Sequence, residues 1–332
     1  MRSIIATILI LSICLCFSCS DSGARQELTR DAAQIDSLLS NFATDMLGYR
    51  DIFQRGVADP SLYPDHKYPE TRYKLHMDIM LYHDQEAGLT SILATGMVKV
   101  GSSQMERMRV IENLEGNMKK IADAYPDFIL SVFMFFTDGV AAYYPAFNPI
   151  SFLPPGFNFL TFAPDTFKRL EIAENPSRTY IYGPPYIDVG GNGYLFTVRI
   201  PIDARDAWVG YLGVDLDIGY IKKYFIEKEG RLEKKGRRLL IITPQGILLA
   251  SNEAASRLLG VGELNNFLYL KQVPNAQIPP EFDLLSNEKP ELVEFAKRAL
   301  EKKDFDFEWN GDKYSVWIQE IAMTGWLLAE LR

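Results

Sequence analysis

Cysteine is scarce in this chain of 332 residues, which has only three. All of them lie in the first 19 residues, at Cys14, Cys16 and Cys19. Because no cysteine follows Cys19, a disulfide framework that holds a small core together is excluded. A chain of this length can instead bury a large hydrophobic core, either in one domain or in two lobes.

Histidine is equally rare, with three residues, and this argues against a metal or catalytic centre. His76 and His83 are seven positions apart, whereas zinc sites usually have closer ligands and a third one that converges on the metal. Surface histidines are the alternative that we prefer. The chain also lacks the His-Glu-x-x-His, Gly-x-Ser-x-Gly and Gly-x-x-x-x-Gly-Lys patterns. We therefore expect no metal, no cofactor and no enzymatic activity.

Positive charge is in deficit, with 35 Lys and Arg against 43 Asp and Glu and a formal net charge of −8. This balance excludes nucleic acid as a general partner, because phosphate binding needs a basic surface. Residues 222–238 are rich in Lys and Arg, but acidic residues are interleaved with them. We interpret this segment as a solvated linker helix, with a membrane-surface patch as the alternative.

Long hydrophobic runs are absent beyond the N-terminal segment. There, Arg2 precedes an apolar run from Ile4 to Phe17, which is too short to cross a membrane comfortably. Ser18 and Cys19 follow, and a small residue before cysteine resembles the cleavage site of bacterial lipoproteins, in which the cysteine is lipidated. We predict a signal peptide at 1–18, lipidation of Cys19 and a tether at 19–25. An ordinary signal peptide or an uncleaved anchor are the alternatives.

Two helices are predicted from the spacing of apolar residues. From Gln26 to Arg55 these residues recur at intervals of three and four, which predicts a long amphipathic helix at 26–58. The stripe consists of Ile35, Leu38, Leu39, Phe42, Met46, Tyr49 and Phe53. A second helix is predicted at Gln104–Tyr125, and the pattern of Arg72–Ser91 is moderately helical.

Two separate sets of strand-like runs follow, each divided by turn signals. The first set begins with a predicted hairpin of Phe128–Phe136 and Val140–Tyr144. It continues from Tyr180 to Tyr220 as an antiparallel meander of three strands, interrupted at Gly190–Gly193 and at Asp203–Ala207. The second set runs from Leu239 to Leu331. Two antiparallel sheets are therefore expected.

The meander carries a family resemblance. Three of its patterns resemble the sheet of double Cache sensor domains, which are the extracellular ligand-binding modules of bacterial receptors. They are Pro185-Tyr186-Ile187-Asp188, Ile200-Pro201-Ile202 and Gly210-Tyr211-Leu212-Gly213-Val214-Asp215-Leu216. The resemblance implies an α+β fold in which a long N-terminal helix is followed by two PAS-like lobes, each with an antiparallel sheet flanked by helices. It implies a membrane-distal lobe at 59–221, a linker helix at 222–238 and a membrane-proximal lobe at 239–332.

The resemblance also implies where a ligand binds. In Cache domains that bind amino acids, the matching Tyr and Asp positions line the distal pocket, and a carboxylate meets the ammonium group of the ligand. An acidic, aromatic pocket attracts a cationic head group through charge and cation–π contact. We therefore expect a small, amine-bearing ligand in the first lobe, bound by Tyr186, Asp188, Asp215, Tyr144, Phe162 and Tyr182.

Several alternatives accompany this site. Asp188, which precedes Gly190, is equally interpreted as a turn-capping residue. Asp215 and Asp217 are spaced as a carboxylate pair, as in glycoside hydrolysis, but Asp217 is better interpreted as the cap of a following helix. The Arg-x-Trp-Tyr element with which the family grips a ligand carboxylate has no counterpart in Phe162–Phe167, so a standard α-amino acid is not expected.

Two functions remain open. The first is a sensory module in the bacterial cell envelope, lipid-anchored on the periplasmic or extracellular face, whose ligand changes its shape for a signalling partner protein. The second is a structural or interaction lipoprotein that keeps the Cache fold without a small-molecule ligand. The long N-terminal helix is also expected to support a homodimer.

The anchoring prediction is tested at Cys19. The Cys19→Ala variant lacks the thiol that would carry the lipid, so we expect its maturation and its retention in the membrane fraction to be lost. Fractionation and metabolic lipid labelling measure both effects, with Cys16→Ala as the control that keeps normal processing. Unchanged membrane partitioning of the Cys19→Ala variant would contradict lipidation at this residue.

Overall fold

The structure is a computed structural model, and the chain forms two compact units. One unit contains Asn41–Tyr220, and the other contains the chain up to Ser40 together with the described residues from Ile221 onward. The residues that the structure describes are 2–76, 79–82, 89–94, 100–147, 164–187, 194–223, 236–261, 280 and 282–332.

The described helices are mostly short, apart from the first two. They are α1 (Arg2–Ala58), α2 (Ser102–Ala124), α3 (Pro164–Leu170), α4 (Glu253–Leu259) and α5 (Pro290–Leu300). Short 3₁₀ helices occupy Pro60–Leu62, Glu70–Arg72 and Leu284–Ser286. Residues 218–223 are helical as well.

The described strands form two antiparallel sheets. The first sheet contains β1 (Tyr73–His76), β2 (Ile79–Tyr82), β3 (Ser91–Ala94), β4 (Ile129–Phe136), β5 (Val140–Tyr144), β6 (Ile181–Tyr182), β7 (Tyr186–Ile187), β8 (Tyr194–Ala204) and β9 (Ala207–Asp217). The second contains β10 (Arg238–Ile242), β11 (Leu248–Ser251), β12 (Phe305–Trp309), β13 (Asp312–Ile321) and β14 (Trp326–Leu331). These elements confirm the predicted fold class of a long N-terminal helix with two antiparallel sheets flanked by helices.

The first sheet has the strand order β1-β2-β3-β5-β4-β9-β8-β6, and β7 also pairs with β8. Strands β8 and β9 are the longest in this sheet and form the predicted meander, with β4 on the far side of β9. Since the side chains of a strand alternate between the two faces, this register decides which residues of β4, β8 and β9 lie together.

One face of the first sheet packs against helices. The ring of Phe42 in α1 lies 5.5 Å from that of Phe128, and Phe128 lies 6.3 Å from Phe196 of β8. Helix α2 also packs on this sheet, and it approaches α1 so closely that a Cβ atom at Gly56 would stand 2.9 Å from Leu114. The buried part of the predicted stripe, which includes Phe42, Met46 and Phe53, therefore covers a sheet face as expected.

Helix α2 also presents two fully buried carboxylates, Glu112 and Glu115. The Glu115 carboxylate accepts hydrogen bonds from the Thr90 hydroxyl at 2.9 Å and from the backbone N–H groups of Leu89 and Thr90, each at 3.2 Å. It also pairs with the Lys67 ammonium at 2.5 Å and accepts from the Tyr68 hydroxyl. Because its donors come from two loops, this one carboxylate fixes both loops against the helix.

In the second unit, the sheet order is β11-β10-β14-β13-β12. The ring of Phe295 in α5 packs 5.1 Å from Phe307 and 5.6 Å from Phe305. The buried guanidinium of Arg237 donates to Asp31 of α1 at 2.8 Å and to Glu330 of β14 at 2.6 Å. The first part of α1 is thereby tied to this sheet through a buried ion pair.

Two predictions about elements need correction. Arg72–Ser91, interpreted as moderately helical, holds β1 and β2 and reaches the start of β3. The physical reason is strand pairing between segments that are distant in the sequence. Strand β3 pairs with β5, with Ile92 opposite Ala142, and the hydrogen bonds between these two strands outweigh the local preference for a helix. The tether predicted at 19–25 is helical, because α1 runs unbroken from Arg2 to Ala58 in a segment without proline.

The long N-terminal helix contributes to both units, because the residues of α1 divide between them at Ser40. The lobes at 59–221 and 239–332 stay predictions. Among the described residues, no helix is long and apolar enough to cross a membrane. Cleavage before Cys19 stays a prediction, and most of the linker predicted at 222–238 lies outside the described residues.

The buried carboxylate of Glu115 yields a stability prediction. In Glu115→Ala, the buried donors of Thr90 and Leu89 lose their acceptor, so we expect the free energy of unfolding to fall by ~3 kcal/mol. Glu115→Gln keeps one acceptor oxygen and should lose less. Urea unfolding measures both. Glu106→Gln, on the exposed side of the same helix, is the control and should change stability by at most ~0.5 kcal/mol. Equal losses in Glu106→Gln and Glu115→Ala would contradict the assignment.

Candidate functional site

The other face of the first sheet carries a buried acidic group, Asp215 of β9, which is 8% exposed. Its Oδ1 atom accepts hydrogen bonds from the Tyr186 hydroxyl at 2.9 Å and from the Thr197 hydroxyl at 2.7 Å. Its Oδ2 atom accepts from the Ser131 hydroxyl at 2.6 Å. We call these four residues the Asp215 cluster. They lie on four different strands, and the three hydroxyl groups all donate to the one carboxylate.

Strand register explains why these residues meet. Ser131 of β4 and Thr197 of β8 are the direct cross-strand partners of Asp215, so all three side chains lie on one face of the sheet. Tyr186 comes from β7, which pairs with β8 opposite Leu195. We call this surface the site face, and the surface that packs on α1 and α2 the helix face.

The Asp215 cluster holds Tyr186 in its neutral form. Burial raises the pKa of the Tyr186 hydroxyl well above its usual value near 10, and the neighbouring charge of Asp215 raises it further. The positive charge of Arg199 acts in the opposite direction. A neutral Tyr186 keeps its proton and therefore remains a donor to the carboxylate.

Arg199 of β8 is the cationic residue of the site face. It follows Thr197 by two positions and lies opposite Gly213 of β9, next to the Asp215 cluster. Burial raises the pKa of the Tyr211 hydroxyl, and the nearby positive charge of Arg199 offsets part of this rise. Gly183 makes room for the guanidinium, because a Cβ atom there would stand 2.2 Å from Nη1 of Arg199.

Aromatic rings cover the site face beside these polar groups. The ring of Phe167 in α3 lies 5.6 Å from Tyr211 and 5.9 Å from Trp208, and Phe133 stacks on Tyr143 at 5.7 Å. We call this group the aromatic cluster, which consists of Phe133, Phe135, Tyr143, Phe167, Trp208 and Tyr211. It offers apolar area and π-faces next to a carboxylate and a guanidinium, the combination that recognises a small molecule with a charged head group.

Of the residues predicted for the site, Tyr186 and Asp215 are brought into direct contact at 2.9 Å. Asp188 and Phe162 lie outside the residues that the structure describes. Their roles stay predictions, as does the alternative that Asp188 caps a turn.

Tyr144 and Tyr182 were expected on the site but lie on the helix face. Tyr144 pairs with Val132, and Tyr182 pairs with Val198 and packs its ring 6.1 Å from Phe196. The adjacent residues, Tyr143 and Ile181, occupy the site face instead. A shift of one position in a strand moves a side chain to the other face, and the sequence does not show which of two adjacent tyrosines faces the site.

The prediction missed the whole aromatic cluster and also Ser131, Thr197 and Arg199. A signal for two of them was present, because Thr197 and Arg199 are polar residues at alternate positions of an otherwise apolar strand. Polar residues at every second position indicate that one face of a buried strand carries polar groups, whereas the other face is apolar. For Ser131 and Tyr211, only the pairing of β4 with β9 and the placement of α3 reveal the role.

The alternative roles of Asp217 are distinguished by geometry. Asp217 accepts a hydrogen bond from the backbone N–H of Gly219 at 2.7 Å, at the start of the helical residues 218–223, which confirms its capping role. Burial raises the pKa of the Asp217 carboxyl, and the bond from Gly219 opposes this. In the described part of the chain, no group of three His, Cys, Asp or Glu side chains is placed to hold a metal ion.

Comparisons with known proteins returned no matching family model and no matching curated protein. Solved structures with a similar chain course were found. The extracellular domain of a protein described as a histidine kinase, soHK1S-Z6, is 13% identical, with a TM-score of 0.47 and coverage of 92% of this chain and 91% of that one. The sensory domain of the Campylobacter jejuni chemoreceptor Tlp3 is 10% identical, with a TM-score of 0.47 and coverage of 92% of both chains.

A third structure is the Tlp3 ligand-binding domain in complex with L-norvaline, at 10% identity and a TM-score of 0.46, covering 92% of this chain and 89% of that one. All three are described as sensory, ligand-binding or extracellular domains.

The protonated Tyr186 leads to a prediction about pH. Tyrosine in the unfolded chain ionises near pH 10, whereas Tyr186 in the folded chain stays neutral to a higher pH. The neutral Tyr186 hydroxyl therefore contributes fully to the free energy of unfolding below about pH 10. This contribution is lost as the pH rises toward the pKa that Tyr186 has in the folded chain. We therefore measure the free energy of unfolding by urea titration at pH 8 and at pH ~11. The decrease between these two pH values should be smaller in Tyr186→Phe than in wild type.

Tyr63→Phe is the control for this experiment, because Tyr63 lies in the same unit outside the site face. It should keep the wild-type pH dependence. If Tyr186→Phe and wild type lost the same free energy over this range, the assignment of a neutral, buried Tyr186 would be wrong.

Proposed function

We propose that this chain is an extracytoplasmic, lipid-anchored module that binds a small molecule on the site face of Asn41–Tyr220 and passes the signal to a partner protein. One observation carries the proposal: a buried carboxylate, a guanidinium and the aromatic cluster share one face of one sheet. Burying a carboxylate and a guanidinium that do not form an ion pair with each other is costly, and a bound ligand that contacts them would offset this cost.

The ligand is proposed to carry an amine. An ammonium group would compete for the Asp215 carboxylate, and the rings of the aromatic cluster would supply apolar area and cation–π contact. Asp188 and Phe162 are proposed to complete the site, as the family resemblance implies. No catalytic role is proposed for any of these residues.

The Asp215 cluster also suggests how binding changes shape. Its hydroxyl donors come from β4, β7 and β8, so a ligand that withdraws the carboxylate from one of them alters how these strands are held. A small shift at such a shared acceptor favours one arrangement of the strands over another. We propose that the partner protein recognises this change, and that a homodimer through α1 accompanies it.

A second function has one observation in its favour. Asp215 is nearly inaccessible and already accepts hydrogen bonds from three hydroxyl groups, as a purely structural carboxylate would. In that case the chain is a structural or interaction lipoprotein that keeps the fold without a small-molecule ligand.

A thermal-shift screen with amines, amino acids and organic acids separates the two functions. A ligand at a hundredfold excess over its dissociation constant stabilises the folded chain by about 2.7 kcal/mol, which raises the melting temperature measurably. No shift with any compound would favour the structural alternative.

Variants then locate the site by calorimetry on a compound from this screen. Asp215→Ala removes the charge that holds the ligand, so affinity should fall about ten- to a hundredfold. Tyr186→Phe keeps its ring and should cost less. Because Asp215 also holds three hydroxyl groups, Asp215→Asn serves as the variant that retains the shape of the cluster. Equal affinity in wild type and both Asp215 variants would place the site elsewhere, most plausibly in the second sheet's lobe.

A further inference from the structure

Arg199 differs from three other half-buried arginines of its unit. Arg50, Arg107 and Arg178 have side chains that are 16 to 19% exposed, and each forms an ion pair with an aspartate. Arg107 reaches Asp138 at 3.1 Å, for example, and Arg178 reaches Asp203 at 2.5 Å. Among the residues that the structure describes, no carboxylate lies within ion-pair distance of Arg199, and its buried Nε atom has no hydrogen-bond partner.

The nearby Asp215 does not neutralise this guanidinium directly. Its two oxygens accept hydrogen bonds from the hydroxyls of Tyr186, Thr197 and Ser131, so its acceptor positions are largely occupied. The neutral Tyr211 hydroxyl is close enough for the charge of Arg199 to lower its pKa. A half-buried cation for which the described part of the chain offers no carboxylate is costly, and an anion beside it would reduce the cost.

The surroundings of Arg199 match one kind of anion. A guanidinium is planar and donates two parallel hydrogen bonds, which fits a carboxylate. Tyr211, which contacts it, also packs against Phe133 and Phe167 of the aromatic cluster, so an apolar body can lie beside the charged contact. Gly183 leaves the space that Nη1 occupies, which keeps the guanidinium extended along the site face.

We propose that Arg199 binds a carboxylate group of the ligand, so that the ligand of this site carries a carboxylate and an apolar body in addition to the amine proposed above. This rests on the proposed function, since it concerns the same site face. It assigns the anion contact to a residue of strand β8, whereas the sequence predicted only an acidic site for a cationic head group. The ligand's charge, not only its shape, then decides which compounds bind.

Matched compounds test this charge preference. The full chain in detergent is screened by thermal shift against aliphatic and aromatic monocarboxylates, each alongside the amide and the amine of the same carbon skeleton. We expect carboxylates to raise the melting temperature and their amides to have little effect. If amines stabilise the chain and carboxylates do not, the assignment of Arg199 is overturned while the proposed binding function stands. If no compound stabilises it, both are overturned.

Variants of Arg199 test the residue itself. For a carboxylate found in the screen, calorimetry should show Arg199→Gln weakening the affinity by about ten- to a hundredfold. Arg199→Lys keeps the charge but loses the paired donors, so its affinity should be intermediate. Arg205→Gln removes the same charge from an exposed turn of the same unit and should bind like wild type. Unchanged affinity in Arg199→Gln would overturn the assignment.

Gly183→Ala provides a route that leaves Arg199 in place, which matters if Arg199→Gln fails to fold. The added Cβ atom would clash with Nη1 at 2.2 Å, and the flexible guanidinium must move away. We expect a cooperative melt close to that of wild type together with a clear loss of carboxylate affinity. If the Gly183→Ala variant and the Arg199→Lys variant each bound the carboxylate with wild-type affinity, the position of this guanidinium would be irrelevant to binding.

Discussion

The buried carboxylate of Asp215 is the constraint on which the first sheet's site depends. A charge that is 8% exposed is tolerated only because three hydroxyl groups solvate it in place of water. Those donors belong to β4, β7 and β8, so the register of four strands and the protonation of Tyr186 are coupled to a single acceptor. Any change in its hydrogen bonds is transmitted to strands that are far apart in the sequence.

Buried charged groups that bind several partners also occur elsewhere in the chain, where they hold separate segments together. Glu115 holds two loops against α2, and Arg237 ties the start of α1 to Glu330 of the second sheet. In both places the buried charges are matched by charged and polar partners. Arg199 differs, since no carboxylate among the described residues lies within ion-pair distance of it and its buried Nε atom has no hydrogen-bond partner. This is one reason why we propose that a ligand binds on the site face.

The periodicity of strands decides which of the residues predicted for the site lie on the same face. Tyr186 and Asp215, assigned from the family resemblance, are in hydrogen-bond contact. Tyr144 and Tyr182 lie on the helix face, while their neighbours Tyr143 and Ile181 lie on the site face. Ser131 carries no local signal, because its role comes only from lying opposite Asp215. Adjacent residues on a strand have opposite surroundings, so an error of one position reverses the assignment.

The sequence by itself determined the fold class, the long helix with its apolar stripe, the helix at Ser102–Ala124 and the two sets of hairpin strands, because these depend on periodicity and turn residues within short windows. Tertiary structure alone decided that Arg72–Ser91 holds strands, since β3 is stabilised by β5, which lies about fifty residues later in the chain. It also decided that Ser131, Thr197, Arg199 and Tyr211 lie on one face of the first sheet. These features depend on cross-strand register and packing between distant segments, which no local pattern encodes.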